Sequence, residues 1–268
     1  MRISLGLLIF CIFLSSCDIS VKKEEAEMHM QNEDYEAAAA AYTKVIKLEP
    51  DDNYSIFNRA QAYEKTEEFQ KAYDDYTRLV ALKWKTRAAL VGRARCNFEL
   101  ENYSGVIMDM NAIIGSDPEN TEALDLRGRA FVKTGKLNRA INDLNIVIDT
   151  DPENTQALIS RGAALARGGA GPYAIEDFDK ALLADPSLSV AYFNKAMVFF
   201  VYENYATAID NFDKALELNE EYAEAYTRRG MAKMTSKRFD LSQACADFEL
   251  GKELDNEVAA EYIMEYCK

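Results

Sequence analysis

Six basic residues stand in register along this chain, each 34 positions after the one before: Arg59, Arg93, Arg127, Arg161, Lys195 and Arg229. Sixteen positions after the first four come Asp75, Asp109, Asp143 and Asp177. Asn211 holds that place after Lys195 and, beyond a two-residue insertion, Asp247 holds it after Arg229. A guanidinium and a carboxylate at constant spacing point to ion-pair chemistry, because arginine's planar fork binds a carboxylate through two hydrogen bonds. Two uses are open: pairs that hold the fold together, or a ladder of cations for anionic ligands. The structural pair is the expectation, since the lysine and the asparagine occur together, as pairing would demand. Material for catalysis is thin. One histidine, His29, and five cysteines without a C-x-x-C spacing make neither a metal-ligand set nor a Cys–His pair. No nucleophile–base combination or phosphate loop stands out. The chain reads as a non-enzyme, with no cofactor and no metal.

The elements that must position these residues show the same period. Small residues fall at Ala26, Ala60, Ala94, Gly128, Gly162, Ala196 and Gly230, again 34 apart. A period of this length means stacked supersecondary units, each too small to bury its apolar face alone. Residues 121–154 show one unit. Leu124, Gly128 and Phe131 share a helical face, Gly135 ends that helix, and Ala140, Leu144, Val147 and Ile148 share a second face. Pro152 disfavours the α conformation at Asp151 and stops the second helix. The hairpin turn is centred near the fifteenth position, so the seventh and twenty-third lie at equal heights on opposing helices. That placement would join Arg127 to Asp143.

These residues resemble the tetratricopeptide repeat (TPR) family. Counting from 19, position 8 holds the seven small residues above. Position 20 holds Ala38, Ala72, Val106, Ala140, Ala174, Ala208 and, after the insertion, Ala244. Position 24 holds Tyr42, Tyr76, Met110, Leu144, Phe178, Phe212 and Phe248. Position 32 has Pro50, Pro118, Pro152 and Pro186, but Trp84 and Glu220 depart from the rule. The resemblance implies an all-α, right-handed TPR superhelix, an α-solenoid of about seven helix-turn-helix repeats over 17–256. The repeats fall near 19–52, 53–86, 87–120, 121–154, 155–188, 189–222 and 223–256, with a capping helix over 257–268. That helix carries the apolar stripe Val258, Ala259, Tyr262, Ile263 and Tyr266. Three departures are expected: a frayed leading helix at Lys22 to Glu25, a loose turn at Gly168 to Pro172, and a stretched turn from Thr235 to Gln243.

The resemblance also implies a concave groove lined from the first helix of each repeat. Arg95, Arg129, Lys133 and Arg167 fall at groove positions of the central repeats. Phe193, Met197, Phe200, Val201, Met231 and Met234 fall at those of the sixth and seventh. A basic stretch beside an apolar one would suit a peptide with acidic and hydrophobic anchors. The competing reading packs some of these residues between helices and pairs the arginines with local acids. The family's carboxylate clamp does not fit. Lys23 and Asn58 match it, but Glu27, Ala88 and Gly92 break the set.

The first residues read as a targeting segment. Arg2 precedes an apolar run from Ile3 to Leu14, too short for a bilayer-spanning helix of about 20 residues. Leu14-Ser15-Ser16-Cys17 resembles the lipobox of bacterial lipoproteins, which implies a signal peptide over 1–16 and acylation of Cys17. The remainder carries 30 Lys and Arg against 45 Asp and Glu, and so repels nucleic acid and anionic lipid. Its membrane contact would be the lipid (palmitate-type acyl chains) alone. Cys245 and Cys267 each lie 11 residues from Asn256. Two states are open to them: a disulfide, which an oxidising compartment permits, or buried free thiols, the commoner state.

The sequence thus describes a scaffold or adaptor at the bacterial cell envelope, lipid-anchored on the periplasmic side of the inner or outer membrane or exposed at the surface. Its partners would be other proteins or peptides in the groove. The alternatives are a lipoprotein that captures peptide or glycan, a secretin or pilus assembly factor, and a homodimerising module.

Overall fold

The computed structural model describes residues 19–236 and 241–267. The expected signal peptide and Cys17 lie outside the described residues, as do residues 237–240 of the seventh turn. Every regular element among the described residues is a helix. They run α1 (residues 19–31), α2 (Tyr35–Leu48), α3 (Asn53–Lys65), α4 (Phe69–Ala81), α5 (Thr86–Glu99), α6 (Tyr103–Ile114), α7 (Thr121–Lys133) and α8 (Leu137–Thr150). Then follow α9 (Thr155–Arg167), α10 (Gly171–Ala184), α11 (Ser189–Val201), α12 (Tyr205–Leu218), α13 (Ala223–Thr235), α14 (Leu241–Glu253) and α15 (Glu257–Tyr266). No helix among the described residues is long and apolar enough to cross a membrane.

The chain divides within α7 into two compact units, one ending at Ala130 and one beginning at Phe131. In the first, α2 to α6 pack each on the next, and α3 also touches α5. In the second, α8 to α15 do the same, with added contacts of α9 to α11 and α11 to α13. First helices of successive repeats therefore stand side by side within each unit and present a continuous face.

The short turns obey one rule. The residue in left-handed backbone is Glu33, Glu67, Glu101, Gly135, Gly169 or Glu203, all at position 15, with φ between 57° and 82°. The residue after it bonds back to a carbonyl five positions earlier, as in Glu68 N–H to Tyr63 at 2.9 Å and Lys136 N–H to Phe131 at 2.9 Å. This closes the orphan carbonyls at the helix end. The fifth turn is consequently not loose. It has the same length and the same left-handed position, and Pro172 sits in the first turn of α10, where a missing N–H costs nothing. The first repeat is not frayed over the described residues either. Lys23 Nζ reaches Glu49 at 2.7 Å and Asp52 at 2.9 Å, while Ala26 is fully buried.

Small residues at position 8 admit the ring at position 24 of the same repeat. A Cβ added at Gly162 would lie 2.6 Å from the Phe178 ring, and one at Gly230 would lie 2.6 Å from Phe248. Tyr42, Tyr76, Phe178, Phe212 and Phe248 are consequently among the largest fully buried side chains. Where the second repeat lacks its proline, the Trp84 ring lies tilted beside Phe57 at 5.7 Å, between Lys83 and Lys85 in left-handed backbone.

Candidate functional site

Four of the position-7 bases grip the aspartate that the period sets opposite them. In the first unit Arg59 meets Asp75 through Nε–Oδ2 at 2.8 Å and Nη2–Oδ1 at 2.7 Å, and Arg93 meets Asp109 at 2.8 and 2.5 Å. In the second, Arg161 meets Asp177 at 2.8 and 2.6 Å, and Arg229 meets Asp247 at 3.0 and 2.6 Å. These aspartates are buried. The hydrogen bonds from Asp109 and Asp177 hold the Arg93 and Arg161 guanidinium groups above their usual range. Arg127 and Asp143 fall on opposite sides of the boundary between units; Asp143 is buried in the second.

Sequence reasoning missed a third partner. The free end of four of the bases reaches position 25 of the preceding repeat: Arg59 Nη1 to Thr43 at 3.2 Å, Arg127 to Asn111 at 2.6 Å, Arg161 to Asn145 at 2.9 Å, and Arg229 to Asp213 at 2.6 Å. Arg93 is the exception, because the buried hydroxyl of Thr77 at that position has no hydrogen-bond partner among the described residues. Lys195 does not face Asn211, which instead donates to the Thr207 carbonyl. Its Nζ pairs with Asp179, also at position 25, at 2.5 Å. A lysine has no fork to span both sites, so it takes the carboxylate and leaves the amide. Five of the six bases thus join their repeat to the one before. The signal was present as a polar residue recurring at position 25.

On the first-helix face of the first unit, the arginines are occupied by neighbouring acids. Arg95 grips Glu64 through bonds of 2.8 and 3.2 Å and lies 3.6 Å from Glu122. Glu64 also accepts from the Tyr76 hydroxyl. Arg129 approaches Asp125 at 3.5 Å and lies over the Phe98 ring at 4.6 Å. Burial pushes the Asp125 carboxyl above its ordinary range, against the pull of Arg129. A cavity of about 590 Å³ beside Arg95 is lined by Phe57, Gln61, Lys85, Arg87 and Glu122 among others. Its charges are paired or covered: Arg87 lies 3.1 Å from Asp117, and Lys85 Nζ sits over the rings of Trp84 at 4.7 Å and Phe57 at 4.9 Å.

The second unit differs. Between α9 and α11 opens an apolar cup of about 350 Å³. Phe178 and Val198 are its buried floor, Met197 and Val201 its wall, and Arg167 and Asn194 its polar edge. Gly171 lets the Tyr202 ring close one side, since a Cβ there would lie 2.2 Å from the ring. Of the groove residues expected here, Arg167, Phe193, Met197 and Val201 come together at this cup, and Lys133 is exposed elsewhere in the unit. Phe193 is largely committed to packing. It is 7% exposed, stacked on Tyr222 at 4.7 Å and near Phe212 at 5.7 Å. Met231 is buried, Phe200 lies against Tyr205 at 5.5 Å, and Met234 packs on the terminal cluster.

That cluster carries a further correction. Cys245 and Cys267 are not free thiols but form a disulfide, with a Cα–Cα separation of 5.7 Å. The antiparallel contact of α14 with α15 brings them together, and Tyr262 packs on Phe248 at 5.0 Å beside the bridge. Cys96 is a buried free thiol, its pKa pushed up to about 12 by burial. No cluster of His, Cys, Asp and Glu among the described residues is arranged to hold a metal ion.

Comparison with known proteins comes to the same repeat. The tetratricopeptide repeat family matches residues 24–85, 126–189 and 189–222. A tetratricopeptide repeat protein from Parabacteroides merdae is similar at a TM-score of 0.77 and 19% identity, over 93% of this chain and 99% of its own. The C-terminal part of a TPR repeat-containing protein from Cytophaga hutchinsonii is similar at 0.60 and 18%, over 89% and 98%. YrrB, described as a TPR protein with an unusual peptide-binding site, is similar at 0.54 and 23%, over 70% and 97%. No curated protein matches the sequence.

Proposed function

The chain belongs to the tetratricopeptide repeat family, and on that premise we propose a non-catalytic scaffold or adaptor that binds partner proteins through its first-helix face. Lipid on Cys17 would hold it at a bacterial cell envelope, on the periplasmic side or at the surface. The observation that carries the binding reading is the cup between α9 and α11. It is an apolar recess in an acidic chain, its polar edge is not committed to local acids, and a concave, mostly apolar site with a few polar groups is what a ligand requires. The peptide-binding site of YrrB is in keeping with this use. Net negative charge disfavours nucleic acid as partner. The Cys245–Cys267 bridge supports an oxidising compartment, because such bonds persist outside reducing cytosol.

Site-specific photo-crosslinking in the producing cell tests the binding reading. A crosslinker at Val201 or Met197 should capture a discrete partner, and one at Met108, an exposed second-helix residue, should not. Equal capture at both faces, or at neither, overturns it. The anchor is tested separately: Cys17→Ser should abolish labelling by radioactive palmitate and release the protein from membranes.

A further inference from the structure

Resting on that reading of the first-helix face, we propose that the cup in the second unit is a specificity pocket for one large apolar side chain of a peptide segment, with an acidic residue next to it. Ala163 and Ala166 set its depth, and Arg167 with Asn194 read the polar neighbour.

The first argument comes from comparing repeats. Ala163 and Ala166 occupy positions 9 and 12 of their repeat. The repeat before carries Arg129 and Val132 at those positions, and the one after carries Met197 and Phe200. Only the alanines leave space there, and the cup opens over them. Its floor is rigid, because Phe178 is fully buried and seated against Gly162. About 350 Å³ is the low end of ligand-sized pockets and accommodates one side chain rather than an extended chain of sugars.

The second argument is charge. Arg167 is exposed and donates to the Val132 carbonyl, yet meets no carboxylate among the described residues. Nearby bases are committed, Arg161 to Asp177 and Lys195 to Asp179. The Asn194 side chain lines the cup without a hydrogen bond to any described residue. An unpaired guanidinium at the rim of an apolar recess is complementary to a carboxylate beside an apolar group. The amide of Asn194 can donate to and accept from the peptide bond between them.

The test uses the full chain and labelled hexapeptides with blocked ends, in which glutamate and leucine are neighbours in either order within a Gly/Ser background. Replacing leucine with alanine in the probe should weaken binding at least about tenfold, the effect of losing one buried side chain. Replacing glutamate with glutamine should weaken it by a smaller factor. Ala166→Phe, which installs the residue of the next repeat, should erase the leucine preference. Arg167→Gln should erase the glutamate preference and keep the leucine preference. If Ala166→Phe lowers Tm or helicity, Ala163→Met serves in its place. The proposal falls if the wild-type chain binds no probe or binds all alike, or if the filled variants keep the leucine preference. Should that happen while Val201 still crosslinks a partner in cells, only the pocket is refuted and the binding face stands.

Discussion

Two cavities on the first-helix faces, one from each unit, are unlike in a way that their positions in the repeat do not show. The cavity of the first unit is larger and more highly charged, but Arg95 is held by Glu64, Arg87 lies near Asp117, and Lys85 sits over aromatic rings. The cup of the second unit is smaller and apolar, and Arg167 at its edge has no acid among the described residues. A groove position is available for recognition only where packing leaves it unsatisfied. Charge at such a position in the first unit reports internal pairing; the proposed site rests on a cavity beside a base without a carboxylate in the second.

The distinction between a structural base and an available one predicts the greatest loss at Asp177. Asp177→Ala would strand the buried end of Arg161, and should cost about 3–5 kcal/mol in a denaturant titration. Arg167→Ala, by contrast, should shift stability by no more than about 0.5 kcal/mol, as exposed surface changes do. Equal losses in the two variants would mean that Arg167 is structural too, and the contrast between the cavities would go. Next in size is the clip on α15. Cys245→Ser with Cys267→Ser removes a crosslink across 22 residues and should cost about 2–4 kcal/mol. Hydrogen exchange should then show the loss confined to α14 and α15, with the cup region unchanged.

Smaller effects bear on the turns and acids that set the units apart. The left-handed turn residue is Glu33, Glu67 or Glu101 in the first unit but Gly135 or Gly169 at two turns of the second. Glu67→Gly should raise stability by about 1 kcal/mol, because glycine adopts positive φ without the steric cost borne by an L residue. The same change at Gly169 is made in reverse, and Gly169→Glu should destabilise by a similar amount. Last is a pH effect on the first-unit face. Burial raises the folded-state pKa of Asp125 above its unfolded value, so the unfolded chain binds fewer protons between the two. The contribution of this residue to stability therefore improves as pH falls through the folded pKa. Asp125→Asn should flatten that rise, and a denaturation series across the acid range measures it.

Much of this architecture was legible in the sequence. Alanine or glycine at position 8, rings at position 24 and prolines at position 32 are packing requirements that recur with the period, so they announce themselves. The intra-repeat pairing of Arg59 with Asp75 followed from spacing alone. Its second arm did not, because Thr43, Asn111 and Asp179 share polarity at position 25 but not residue type. The turn of the fifth repeat misled because three glycines suggest looseness, whereas one left-handed position is all the turn uses. Charge and apolar bulk mark the expected groove residues in the sequence, whereas the cup is made by two alanines whose meaning lies in what is missing.

The periodic sequence by itself determined the repeat, its helical hairpins, the seat of each core ring and the base that faces a carboxylate. These depend on contacts within one hairpin or with the next, which a 34-residue period encodes directly. Only the tertiary structure decided which charges are already satisfied, where a recess opens, and that Cys245 meets Cys267. Those outcomes depend on volumes and partners brought together from different helices, and a residue's availability is a property of its surroundings rather than its type.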